Sequence, residues 1–248
     1  ADIFIYDSKN GKGNKTIIGY SNDDGDQIVL ENGATISEVK TKKKDIVLKV
    51  GTNKITLKEI GNNPFTFVEN NETKTYSGGL LISEDKESVS MTSAFGKTID
   101  LSSDAYVETD YKNVSAELYK KAVSITGNNS ANSLIGGKGK DNLYGGAGND
   151  SLWGGAGNDI LFGGLGNDNF IFQAGGGKDV IMDYQSGDML TILDKKGGVG
   201  SFTDSTFKNG KLTLGIQGGG KVSFRNVDSS TEFNINGEAH QIENNSLK

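Results

Sequence analysis

Four aspartates recur nine residues apart, Asp141, Asp150, Asp159 and Asp168, and each closes the same glycine-rich hexapeptide. From Gly136 the chain reads GGKGKDNLY, GGAGNDSLW, GGAGNDILF and GGLGNDNFI. The units begin at Gly136, Gly145, Gly154 and Gly163, with a further invariant glycine at Gly139, Gly148, Gly157 and Gly166. A degenerate unit, GNNSANSLI, starts at Gly127 and places Asn132 where the others have aspartate; a final variant over 175–181 contributes Asp179. Regularly spaced carboxylates among glycines can supply hard oxygen ligands, from side chain and backbone alike, to a divalent cation.

The spacing dictates how such ligands would be arranged. Six residues of each unit suit a turn, and the last three carry one obligate apolar residue, which suits a short strand with alternating faces. The inward positions are Leu134, Leu143, Leu152, Leu161, Phe170 and Ile181. Two units make one coil of eighteen residues, so equivalent residues stack at that separation. One edge then carries Asn132, Asp150 and Asp168, and the other Asp141, Asp159 and Asp179. Bare carboxylates about 5 Å apart repel by roughly 3 kcal/mol at an effective dielectric of about 20. A column of them therefore needs a cation. Ca²⁺ accepts six to eight oxygens in loose geometry, and the glycines let carbonyls approach closely enough to complete the shell. Counting same-edge neighbours predicts about three to four Ca²⁺ ions, the one at Asn132 being weakest because an amide carries no charge. A flexible linker would have no reason to hold its aspartate and its apolar residue in phase.

These residues closely resemble the repeats-in-toxin (RTX), or haemolysin-type, calcium-binding family, strongly over about 127–190. The resemblance implies an all-β, right-handed parallel β-roll flanked by antiparallel β-hairpin caps. It also implies export by type I secretion machinery and folding triggered by extracellular calcium. By position it makes Asp141, Asp150, Asp159 and Asp168 ligands, while Asn132 departs from the pattern. Localisation is then secreted or extracellular, including a bacterial cell surface.

A second, longer repeat lies outside the array. The segment Asp168-x-Phe170-x-Phe172, Gly175-x-Gly177, Ile181, Tyr184, Gly187-Asp188, Leu190 matches the chain's opening. There the order is Asp2-x-Phe4-x-Tyr6, Gly11-x-Gly13, Ile17, Tyr20, Gly25-Asp26, Ile28, with two short insertions. Ile46, Leu48, Val50, Ile55 and Leu57 mirror Leu212, Leu214, Ile216, Val222 and Phe224, with period-two alternation that predicts antiparallel hairpins. Phe65 and Phe67 mirror Phe233 and Ile235. The expected organisation is a cap-like β domain over 1–77, a linking β segment over 78–126, the calcium-binding roll over 127–182 and a C-terminal cap over 183–248. The first copy would follow an array upstream of Ala1, and Lys15 there stands where Asp179 stands in the second. In the link, Leu80-Leu81-Ile82, Ile99-Asp100-Leu101 and Val123-Ser124-Ile125 read as short solenoid rungs, and Ser115 to Lys121 as one helical turn.

Other functions find little support. Glycine is 36 of 248 residues with a single proline, which excludes collagen, and a hydrophobic content of 34% suits a thin, repetitive core. Net charge is −6, which speaks against nucleic acid; the only basic cluster, Lys40, Lys42, Lys43 and Lys44, reads as a solvated hairpin tip. Cysteine is absent and no apolar run is long enough for a transmembrane segment. His240 is the only histidine, with no nucleophile motif nearby, so no catalytic residues are expected. The outward positions Ile135, Tyr144, Trp153, Phe162 and Ile171 form apolar stripes that could meet a cell-surface or glycan ligand. The reading is a non-catalytic calcium-binding module of a secreted protein, structural or adhesive. The alternatives are the C-terminal secretion module of a secreted lipase, protease or polysaccharide-modifying enzyme, and a glycan-binding module.

Overall fold

The computed structural model describes residues 2–7, 9, 13–18, 20–21, 26–42, 45–58, 65–77, 80–83, 87–91, 98–102, 111–117 and 119–248. Among them every regular element is a strand. Two compact units divide between Gly96 and Lys97.

The second unit is built on two stacks of parallel strands. One stack runs Asn113–Ser115, Ser133–Ile135, Ser151–Trp153, Asn169–Gln173, Met189–Leu193 and Phe233–Ile235, and Glu238–His240 closes it antiparallel. The other runs Thr98–Asp100, Ser124–Thr126, Asn142–Ala147, Ile160–Leu165, Lys178–Ile181 and Lys221–Arg225, and ends in an antiparallel hairpin of Lys211–Ile216 with Phe202–Lys208. Register follows the eighteen-residue coil: Leu134 pairs with Leu152, and Leu143 with Leu161. In the last coil the step lengthens to twenty, with Phe170 opposite Leu190 and Leu161 opposite Ile181. A register error of one residue would turn the whole apolar set to solvent, so the buried row fixes the pairing. Leu134, Leu143, Leu152, Leu161, Phe170 and Ile181 are all buried, at 2% exposure or less.

The hairpins are set by local turn chemistry. Asn209-Gly210 and Asn236-Gly237 both lie at positive φ between their paired strands. That dipeptide suits two-residue turns whose twist matches the strands. In the first unit Asn70-Asn71 does the same between Phe65–Glu69 and Glu72–Ser77.

The first unit repeats the pairing scheme of the second one's end. Ile3–Asp7 pairs parallel with Gln27–Glu31, which pairs parallel with Phe65–Glu69, and Glu72–Ser77 adds antiparallel. Lys15–Ile17 pairs parallel with Asn53–Leu57, followed by antiparallel Asp45–Val50 and Ile36–Lys42. Lys42 ends its strand at the expected hairpin tip, while Lys43 and Lys44 lie outside the described residues.

Two local expectations are corrected. Leu80–Ser83 is not a solenoid rung: it pairs antiparallel with Glu72–Ser77 and Ser88–Met91 as part of a meander. Thr98–Asp100 and Ser124–Thr126 are parallel rungs as expected. Ser115 to Lys121 forms no helix among its described residues; Ser115 ends a strand, and one turn bond, Tyr119 N to Ala116 O at 2.7 Å, follows.

Candidate metal centre

The structure stacks the predicted aspartates in two columns, one at each edge of the roll. Along one edge the Asn132 backbone N–H donates to Asp150 Oδ1 at 2.7 Å, that of Asp150 to Asp168 Oδ1 at 2.8 Å, and that of Asp168 to Asp188 Oδ1 at 2.9 Å. Along the other, Val123 N–H donates to Asp141 Oδ1 at 2.9 Å, Asp141 N–H to Asp159 Oδ1 at 2.8 Å, and Asp159 N–H to Asp179 Oδ1 at 3.0 Å. Each carboxylate thus ties its coil to the previous one through one oxygen. All six aspartates and Asn132 are buried.

The second oxygen distinguishes the positions. Asp150 Oδ2, Asp159 Oδ2 and Asp168 Oδ2 are fully buried and accept no hydrogen bond. A buried ionised oxygen without a partner is costly, so each of these three needs a cation or a proton. Asp141 Oδ2 accepts from Gly137 N–H at 2.6 Å. The Asn132 amide is satisfied on both sides, accepting from Asn128 N–H at 2.8 Å and donating to Lys112 O at 3.2 Å.

Burial also raises the carboxyl groups. It pushes Asp150 up to about 6, Asp159 to about 7 and Asp179 to about 8, against backbone hydrogen bonds that favour the charged form. Neighbouring aspartates in the same column add to the rise at these three. Asp141 and Asp168 are raised for the same first reason.

The glycines line the same space. A Cβ on Gly145 would run into Asp150 Oδ2 and the Gly163 carbonyl; on Gly163 it would meet Asp168 Oδ2, and on Gly154 Asp159 Oδ2. On Gly136 it would meet Asp141 Oδ2 and the Gly154 carbonyl. The second glycine series carries the backbone contacts between coils. Gly157 abuts the Gly139 carbonyl and Gly166 that of Gly148, both at positive φ. Among the described residues no three carboxylate, histidine or cysteine side chains converge on one point. A cation here would take its remaining ligands from backbone carbonyls or water; at Gly145 the missing side chain leaves the Gly163 carbonyl beside the bare Asp150 Oδ2. Hard oxygens, a charge deficit and glycine-lined space fit Ca²⁺.

Two acidic residues were not picked out as site residues from the sequence. Asp188 extends the first column and is pushed up to about 6 by burial. Asp183 accepts from Gly163 N–H at 2.9 Å and Gly164 N–H at 3.0 Å. Asp188 lies twenty residues beyond Asp168 rather than eighteen, so it falls out of the nonapeptide phase; the Gly-Asp pair at 187–188 was the available signal. Tyr184 anchors it, donating its hydroxyl to Asp188 O at 2.8 Å and accepting from Asn234 N–H at 2.9 Å.

This geometry defines a parallel β-roll with stacked acidic turns. Residues 124–152 and 135–170 match the family model of the RTX calcium-binding nonapeptide repeat, in four copies, and this stretch is an RTX repeat array. Among solved structures, the extracellular lipase LipA from Serratia marcescens is similar over 88% of this chain, with 18% identity and a TM-score of 0.36. This chain spans 32% of that lipase chain. No curated protein matches the sequence. Among the described residues no helix is long and apolar enough to cross a membrane.

Proposed function

We propose that the chain is a non-catalytic, calcium-binding module of a secreted or surface protein, and that extracellular calcium drives its folding. The observation that carries this reading is the set of three buried, unpartnered carboxylate oxygens, on Asp150, Asp159 and Asp168, each facing a glycine, Gly145, Gly154 or Gly163, whose missing side chain leaves room beside it. Asp141, Asp179 and Asp188 complete the columns that these residues share. Three bare oxygens agree with about three to four ions. At millimolar calcium and a dissociation constant of about 10⁻⁴ M, each site contributes roughly 1.4 kcal/mol. Adjacent coils share ligands, so the sites should fill cooperatively. At the low calcium inside a cell the columns repel, which keeps the chain open for passage through type I secretion machinery.

The test is a far-UV circular dichroism titration from chelated protein. A cooperative gain of β signal near 10⁻⁴ to 10⁻³ M Ca²⁺, absent with Mg²⁺, is expected. A full β signal in chelator, unchanged by calcium, would overturn the reading.

One observation favours an additional adhesive role. A groove of ≈ 590 Å³ runs past Trp153 and Ile135 and is edged by Lys138, Gln173 and Lys195. An aromatic flanked by polar side chains suits a sugar ring. Binding on a glycan array that requires calcium is expected, and calcium-independent or absent binding would remove this role.

A further inference from the structure

The two caps are the same device in different surroundings, and the difference identifies a docking end on the first unit. The correspondence holds residue by residue. Asp26 Oδ1 accepts from Asp2 N–H at 2.8 Å, as Asp188 Oδ1 does from Asp168 N–H at 2.9 Å. Tyr20 donates to Asp26 O at 2.7 Å and accepts from Thr66 N–H at 2.9 Å, as Tyr184 does with Asp188 and Asn234. Phe4 opposes Ile28 as Phe170 opposes Leu190, and Lys15 opposes Ile55 as Asp179 opposes Val222. Asp2 therefore occupies the place of the ligand-column residue Asp168, and Lys15 that of Asp179.

In the second unit the outer edges of both equivalent strands are covered. Asn169–Gln173 pairs with Ser151–Trp153, and Lys178–Ile181 with Ile160–Leu165. In the first unit, among the described residues, Ile3–Asp7 and Lys15–Ile17 each end their sheet in strand order. The core opens between them into a cavity of ≈ 260 Å³ lined by Phe4, Tyr6, Lys15, Ile17 and Ile28 among others. Phe4 and Ile17 are half-buried, where Phe170 and Ile181 are 0% and 1% exposed. Ile3 and Ile5 are 64% and 62% exposed. Two parallel terminal strands beside an open apolar core, with Ile3 and Ile5 exposed, form an unfinished roll end, and edge strands of this kind template further strands.

We infer that this end seats one further nonapeptide coil, whose chain runs into Asp2 as Asn167 runs into Asp168. The coil would add a parallel strand to Ile3–Asp7 and another to Lys15–Ile17. On one edge Asp2 would share a Ca²⁺ with the coil's aspartate, as Asp168 shares its column with Asp150. On the other edge the Lys15 ammonium would meet the coil's aspartate directly, replacing a calcium ion with a fixed charge. The inference rests on the calcium-binding reading of the roll and extends it to a surface outside the array.

The test joins a second copy of residues 97–167, and separately of 127–167, directly before Asp2. Hydrogen exchange is followed in millimolar calcium. The amides of Ile3–Asp7 and Lys15–Ile17 should slow by at least about tenfold relative to the unextended chain. Bound calcium, counted by equilibrium dialysis, should fall by one with Asp2→Ala and rise by one with Lys15→Asp in the extended chain. Unchanged exchange at those strands in both extended chains would overturn the inference. The amides of Asp150, Asp159 and Asp168 in the same samples report the roll itself. If calcium protects them while the first-unit edge stays open, only the docking inference fails. If calcium protects neither, the calcium-driven reading fails too.

Discussion

Asp150, Asp159 and Asp168 each use one oxygen to bind the preceding coil and leave the other bare. That division makes an aspartate at these positions a liability without metal and an asset with it. Asp159→Asn keeps the acceptor for Asp141 N–H and removes the charge. In chelator the variant should be at least as stable as the parent, because a buried charge has gone. In millimolar calcium it should lose about 1.4 kcal/mol or more through the weakened site. The β signal left in chelator and urea unfolding in millimolar calcium measure this. A loss of equal size with and without calcium would show that the carboxylate serves only as a hydrogen-bond acceptor. Asp141 provides the contrast, since its second oxygen is already held by Gly137 N–H; Asp141→Asn should respond less to calcium.

At the scale of the turn, space rather than conformation makes glycine obligatory at the first position of each unit. Gly145 and Gly163 do not lie at positive φ, yet a Cβ there would meet the aspartate Oδ2 and, at Gly145, the Gly163 carbonyl as well. Gly163→Ala should cost about 2 kcal/mol or more and push the calcium midpoint upward. A circular dichroism titration superimposable on the parent's would show that the turn tolerates the methyl group. Much of this element was legible beforehand. A fixed nine-residue period carries both the buried row from Leu134 to Phe170 and the columns from Asn132 to Asp168, because each coil repeats the one before. Legibility ended where the period did. Asp188 sits behind a two-residue lengthening of the last coil, and Leu80-Leu81-Ile82 has the same short apolar signature as a rung while pairing antiparallel. Three apolar residues encode a strand, but the direction of its neighbour is set by the turn and by tertiary packing. The bare oxygens were not legible either, since partnering depends on where Gly137 and Asn128 present their N–H groups.

At the scale of the whole molecule, the columns should invert the usual dependence of stability on pH. Burial lifts Asp150 and Asp188 to about 6, Asp159 to about 7 and Asp179 to about 8, all above the ordinary carboxyl value of 3.8. A group held higher in the folded state binds more protons there, so metal-free folding takes up protons. The metal-free roll is then most favoured near the ordinary carboxyl range and loses stability as pH rises through about 6 to 8. Asp26 and Asp228 are shifted downward by hydrogen bonds, from Ser21 and from Ser230 first, so their contribution is lost only on going below that range. Calcium reverses the trend, because it binds the deprotonated columns and expels the protons. Between about pH 5 and about pH 8.5 the β signal left in chelator should therefore fall, and the urea midpoint in millimolar calcium should rise. A β signal in chelator that rose with pH would mean that the aspartates are not buried uncompensated in the folded metal-free chain.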